Sequence, residues 1–360
     1  MTLGDGIRRN IAHVTPEERR GLRKAIVALH EQRHYLGERG DLIPGGVSFW
    51  FKQDEIHAHT HVHGCPAFLP WHRELVNRFE ELIREIDPQL SLHYWDWNDD
   101  PTNAPDGQGG FVNLFTPDFM GNANDPATGD VTQAGEPWLT PRFYDPHANP
   151  FRSDSEFAPA NNPVDPPRTL KRNKTHGVPP VGKTVNGSTW PTDDQLIDAP
   201  TWEAFNDLMG GCELGTSSNC AHGMAHSYIG GTLGNAHTSF RDPFVFLLHS
   251  NVDRLFALWQ LQPGHSERLD PTKVYGTQAA TKGNGDVATG EPNWGILSPL
   301  EPWAGPAAQN ATTGVIANVR ATRPWAAPES EQLQSANQKD SRHPSVVKPP
   351  LYDTNPTSVR

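Results

Sequence analysis

In FLPWHRELVNRFEELIREIDP, Leu75, Val76, Phe79, Leu82, Ile83 and Ile86 recur every three or four positions. That spacing predicts a helix with one buried stripe, stopped by Asp87-Pro88. Upstream, TPEERRGLRKAIVALHEQRHY opens with Thr15 at N-cap, Pro16 at N1 and Glu18 at N3. This is a capping box, and it predicts a helix from about residue 16 to the mid-thirties. VSFWFKQDEIHA reads as a shorter helix that runs into a histidine cluster. After LHYWDWNDDP, residues 99–200 are rich in Pro, Gly, Asn and Asp and predict long loops with little regular structure. Helical pattern returns in TWEAFNDLMGG and CAHGMAHSYIGG, then most strongly in DPFVFLLHSNVDRLFALWQ, with Asp242 as cap and Pro243 at N1. Beyond Gln260 the chain turns polar and Pro-rich, the pattern of a segment that wraps a core. No repeat of fixed period is visible.

The pattern also says where histidines point. His72 shares a stripe with Leu75, Val76 and Phe79, and His249 shares one with Val245, Val252 and Phe256, so both face inward. His222 and His226 stand one turn apart on one helix face, the spacing that lets two imidazoles reach one metal. A single buried histidine is usually a hydrogen-bonded core residue. Several buried without partners would leave ring nitrogens unsatisfied at roughly 1–3 kcal/mol each, and a metal removes that penalty.

Composition narrows the chemistry. The 360 residues are enough for a sizeable core, and 34 Pro, 32 Gly and 11 Trp suit a small helical core inside long irregular segments. A formal net charge of -12 without a basic run disfavours nucleic acid and anionic membrane as partners. No apolar stretch approaches the ~20 residues of a membrane span. The opening MTLGDGIRRNIAHV lacks the apolar core of a signal peptide, so the chain as written reads as cytoplasmic, with assisted export left open. Three cysteines make no disulfide framework; Cys212 and Cys220 either pair across a short loop or remain thiols. A zinc protease needs Glu after the first His of the HxxxH pair, where this chain has Gly223. Carboxylate-bridged di-iron bundles need Glu three before the His, which neither His72 nor His249 has. All-imidazole ligation suits copper or zinc, and two separate clusters suggest two metals.

HGCPAFLPWHRELVNRFE followed by LHYWDW resembles the first copper motif of tyrosinases and catechol oxidases. HGMAHSYIGG followed by DPFVFLLHSNVDRLFALWQ resembles the second, in the right order. The resemblance to this type-3 copper family covers about residues 15–100 and 200–260. It implies a mainly α fold, a four-helix bundle holding a dicopper centre, wrapped by long loops with few short strands. The whole chain, 1–360, is then one such domain, with 101–200 a loop insertion and 261–360 a wrapping segment. It implies two copper ions, dioxygen as co-substrate and a small phenolic substrate. His63 and His72 match the second and third ligands of one copper; His222, His226 and His249 match those of the other. His57 is chosen as the remaining ligand, with His61 and then His59 behind it. Leu248 stands where many members have a second histidine. Cys65 follows His63 instead of preceding it, so no thioether is assumed.

Around these ligands, Asp253, one turn beyond His249, is expected to fix that imidazole, with Asn251 beside it; the plainer alternative for Asp253 is a salt bridge to Arg73. Glu213 matches a glutamate that orients a water near the substrate, and an exposed loop carboxylate is the alternative. Gly223 and Ser227 follow the first two ligands of the second copper and are expected to line the entrance. The implied activity is oxidation of o-diphenols to o-quinones, with monophenol hydroxylation less secure because Gly223 replaces an Asn found in efficient hydroxylases. o-Aminophenol oxidation and reversible oxygen carriage are the rival readings.

Overall fold

The computed structural model describes residues 3–33, 48–60, 62–121, 132–133, 136–137, 170–173, 177–236, 238–276, 296, 300, 342 and 344–356. The side chains of 51, 52, 55, 58–60, 132, 133, 136, 137, 344 and 345 lie outside that description. Helices dominate it: α1 (Pro16–Glu31), α2 (Phe49–Thr60), α3 (Phe68–Ile86), α4 (Asp193–Ile197), α5 (Trp202–Leu214), α6 (Ala221–Ile229), α7 (Phe244–Gln260) and α8 (Pro344–Val347). Among the described residues, strands are confined to three antiparallel two-residue pairs, β1 (Ala104–Pro105) with β2 (Phe111–Val112), β3 (Thr132–Gln133) with β4 (Glu136–Pro137), and β5 (Thr184–Val185) with β6 (Ser188–Thr189).

The expected capping box is present on α1: Thr15 Oγ1 accepts the Glu18 N–H at 3.2 Å, and Glu18 Oε2 accepts the Thr15 N–H at 3.1 Å. The buried stripe of α3 packs on α1 and α7. Nearly every residue of α7 is buried, the polar Asn251, Asp253, Arg254 and Gln260 included, so this helix lies at the centre of the core. Its start differs by one residue from expectation. A 3-10 turn (Ser239–Arg241) precedes it, and Pro243 stands at N-cap. Asp242 still accepts the Phe244 N–H at 3.0 Å while pairing with Arg172 at 2.6 and 2.7 Å.

All seven tryptophans among the described residues are fully buried, so these tryptophans build core. One buried apolar cluster runs from Ile11 to Val347 and includes Ile296 and Leu300. Within 99–200 the loop reading needs one correction: α4 is a helical turn with its own capping box, Thr192 with Gln195. Residues 122–131 and 138–169 of that loop lie outside the described residues. So do 301–341. Of the tail, 344–356 lies against the core: Arg73 donates to the Val346 carbonyl at 2.7 Å and Gln260 to that of Val347 at 3.1 Å.

Candidate metal centre

α2 carries His57, the link from α2 to α3 carries His63, and α3 carries His72. Their ligating nitrogens come within 4.8 Å of one another. α6 carries His222 and His226, α7 carries His249, and these three form a second group by the same measure. The groups adjoin. His72 stacks on His249 with ring centroids 4.7 Å apart, and His63 lies 6.1 Å from His222. His61 lies outside the described residues, as does the side chain of His59.

Local structure fixes which nitrogen faces inward. His72 donates from Nδ1 to the Phe68 carbonyl one turn back, at 2.9 Å. His226 donates from Nδ1 to the Leu233 carbonyl at 2.7 Å. That carbonyl is brought back by the turn at Gly230 and Gly231, whose positive φ values of 69° and 58° side chains rarely adopt. Space forbids a side chain there as well, because a Cβ on Gly231 would meet the Lys171 carbonyl at 2.1 Å. His222 Nδ1 bonds Glu213 Oε1 at 2.7 Å. With Nδ1–H so committed, the three rings present Nε2 lone pairs. The Nε2 atoms of His222 and His226 lie 3.4 and 3.1 Å from that of His249. One ring proton cannot satisfy all three, and a cation can.

Burial, helped by the neighbouring His222, pushes His226 down to about 3. Burial, with His72 and His222 behind it, holds His249 far below the ordinary imidazole value. Both stay neutral at neutral pH, the form that binds metal. The donor set, six imidazoles and no thiolate or carboxylate, therefore fits a copper pair.

A cavity of about 220 Å³ opens onto the centre, walled in part by His63, His222, His226, Gly223, Ser227 and Glu213. Gly223 and Ser227 thus line the cavity. Phe68 lies between His72 and His222, at 4.4 and 4.7 Å, and Phe240 stacks on His57 at 4.0 Å. Neither aromatic was anticipated. Phe68 could have been, since it precedes His72 by one helical turn; Phe240 sits in a stretch without periodicity.

Two expectations are corrected. Asp253 does not hold His249. Its carboxylate bonds Arg73 Nε, Arg8 Nη1 at 3.2 Å and the Tyr352 hydroxyl at 2.8 Å. Two buried guanidinium groups need a counter-charge more than a neutral imidazole needs an acceptor. Asn251 accepts from Arg254 Nε at 2.7 Å, and His249 Nδ1 has no hydrogen-bond partner among the described residues.

The common central domain of tyrosinase matches residues 24–262. The chain belongs to the tyrosinase family. It is 26% identical over 262 residues to a tyrosinase of Streptomyces antibioticus, covering 71% of this chain and 82% of that one. It is 29% identical over 265 residues to the tyrosinase-like protein tyr-3 of Caenorhabditis elegans, covering 72% of this chain but only 31% of the nematode protein's length. In fold it is similar to a polyphenol oxidase from Thermothelomyces thermophila, with a TM-score of 0.53 and 22% identity over 73% of this chain and 74% of that one. It is a copper oxidoreductase of the type-3 family, with two copper ions as cofactor and dioxygen as co-substrate.

Proposed function

We propose that this chain oxidises o-diphenols to o-quinones, with His57, His63 and His72 holding one copper ion and His222, His226 and His249 the other. The supporting observation is the pair of adjoining imidazole trios beneath one cavity. A bound copper pair supplies the redox chemistry: two diphenols give up four electrons and four protons, and one dioxygen becomes two waters. The protein's residues do the rest. Acceptors on Nδ1 of His72, His222 and His226 hold those rings in the ligating tautomer. Gly223 and Ser227 leave room for a flat ring, and the apolar faces of Phe68 and Phe240 keep water from the imidazoles.

Glu213 is the one carboxylate among the described residues lining the cavity. One of its oxygens engages His222, which leaves the other to take a phenolic proton directly or through a water. Glu213→Gln keeps an acceptor for His222 but removes the base. Its monophenol turnover is expected to fall tenfold or more while diphenol turnover changes little; equal losses on both would remove the proton-accepting role. Rates of the copper-loaded protein on a monophenol, its diphenol and an o-aminophenol test the wider reading. The diphenol should be fastest. Oxygen uptake without quinone would instead mark an oxygen carrier, and a faster o-aminophenol would reassign the substrate.

A further inference from the structure

Cys212 and Cys220 are joined in a disulfide, their Cα atoms 5.2 Å apart, between the last turn of α5 and the residue that precedes α6. Cys212 is the neighbour of Glu213, and Cys220 stands two residues before His222. The bridge therefore ties together the two short pieces of chain that carry the partners of the Glu213–His222 hydrogen bond.

Besides the bridge, a backbone bond joins those pieces, from Cys212 N–H to the Asn219 carbonyl at 2.7 Å. α5 is broken at Gly210, where φ is −141° and ψ is 24°, so the turn bearing Glu213 does not continue the helix behind it. Cys220, the N-cap of α6, makes no side-chain cap bond. The loop between them is held by Asp207, which accepts from Thr216, from Ser217 at 2.8 Å and from Asn219 at 3.2 Å. Those bonds secure the loop, and none reaches Glu213. The disulfide also fills the space behind the cavity wall. A Cβ on Gly223 would lie 2.6 Å from Cys220 Sγ, 3.3 Å from Glu213 Oε1 and 3.7 Å from Cys212 Sγ. A sulfur fixed in a bridge cannot swing aside as the end of a free side chain could.

We propose that the Cys212–Cys220 disulfide is the positioning element of the second imidazole trio: it holds Glu213 on His222 and keeps residue 223 a glycine. This rests on the reading of Glu213 as the acceptor that orients His222. With the bridge gone, the Cys212–Asn219 backbone bond is left to tie the turn beyond Gly210 to the start of α6; Glu213 leaves His222 for solvent part of the time, and that ring binds metal less well.

The test uses the full copper-loaded chain. Thiols counted after denaturing the active enzyme should number one, Cys65; three thiols in a fully active enzyme overturn the proposal. Copper loss to a chelator is then compared for the parent, Cys212→Ser with Cys220→Ser, Glu213→Ala, and all three changes together. The cysteine variant and Glu213→Ala should each release one copper about tenfold faster, since groups that orient metal ligands are worth about 10–100-fold in affinity. The triple variant should be no worse than Glu213→Ala alone. Losses that multiply in the triple variant, or a cysteine variant that keeps copper like the parent, overturn the disulfide's role. Parental retention in Glu213→Ala overturns the underlying reading of Glu213 instead. If the serine pair does not fold, Gly223→Ala, which pushes a methyl against Cys220 Sγ with the bridge intact, should show the same copper loss; parental retention there counts against the proposal.

Discussion

Asp253 shows how a buried charge chooses its partners. Its carboxylate receives Arg73 from α3, Arg8 from the N-terminal segment and the Tyr352 hydroxyl from the tail. Arg8 in turn reaches Glu80 at 2.8 Å. Removing the anion leaves two buried cations short of charge, so Asp253→Ala should destabilise the metal-free protein by about 3–5 kcal/mol in denaturant unfolding, with copper content unchanged at two per chain. A variant of normal stability that lost one copper would return Asp253 to His249. Arg73 could be foreseen as its partner because both lie on patterned helices. Arg8 and Tyr352 could not, being 245 and 99 residues away with nothing in local spacing to announce them.

Helices were legible because their signals are local. The stripe of α3, the capping box of α1 and the HxxxH of α6 each lie within a few turns of chain. The α4 turn carried a readable box in Thr192 and Gln195 and was hidden by the loop-like residues around it. The pairing of short extended segments was illegible for another reason: it joins distant chain. The Arg8–Ile11 segment bonds the Tyr94 region and the tail, through Ile11 N–H to Tyr94 at 2.8 Å, Tyr94 N–H to Arg9 at 2.9 Å and Arg8 N–H to Leu351 at 2.8 Å. His93 sits in this seam, its Nδ1 accepting the Arg9 N–H at 3.2 Å, and burial pushes the imidazole down to about 4. The folded state thus binds this proton less readily than the unfolded chain, whose histidine titrates near 6.5. Stability from His93 is full above pH 6.5 and declines as pH falls toward 4, by roughly 3 kcal/mol in total. In His93→Asn, which keeps an acceptor for Arg9, the unfolding free energy should lose less between pH 6.5 and 4 than in the parent. An unchanged pH slope would show that His93 does not contribute.

At the scale of the molecule, six histidines spread from residue 57 to residue 249 meet at one place. Periodicity told which way His72 and His249 face, and the HxxxH spacing paired His222 with His226. The choice of His57 came from resemblance, because a cluster of closely spaced histidines contains no internal sign of which ring lies innermost. Glu213 was legible as a residue of interest, but its grip on His222 depends on the break at Gly210, which no pattern marks. No described helix is long and apolar enough to cross a membrane. The account rests on two metal sites built from separate trios, and copper content tests it most directly. Copper-loaded and desalted, the parent should hold two copper ions per chain, and His72→Ala and His249→Ala should each hold one and form no quinone from catechol. A parent that holds fewer than two, or a single replacement that still holds two, contradicts it.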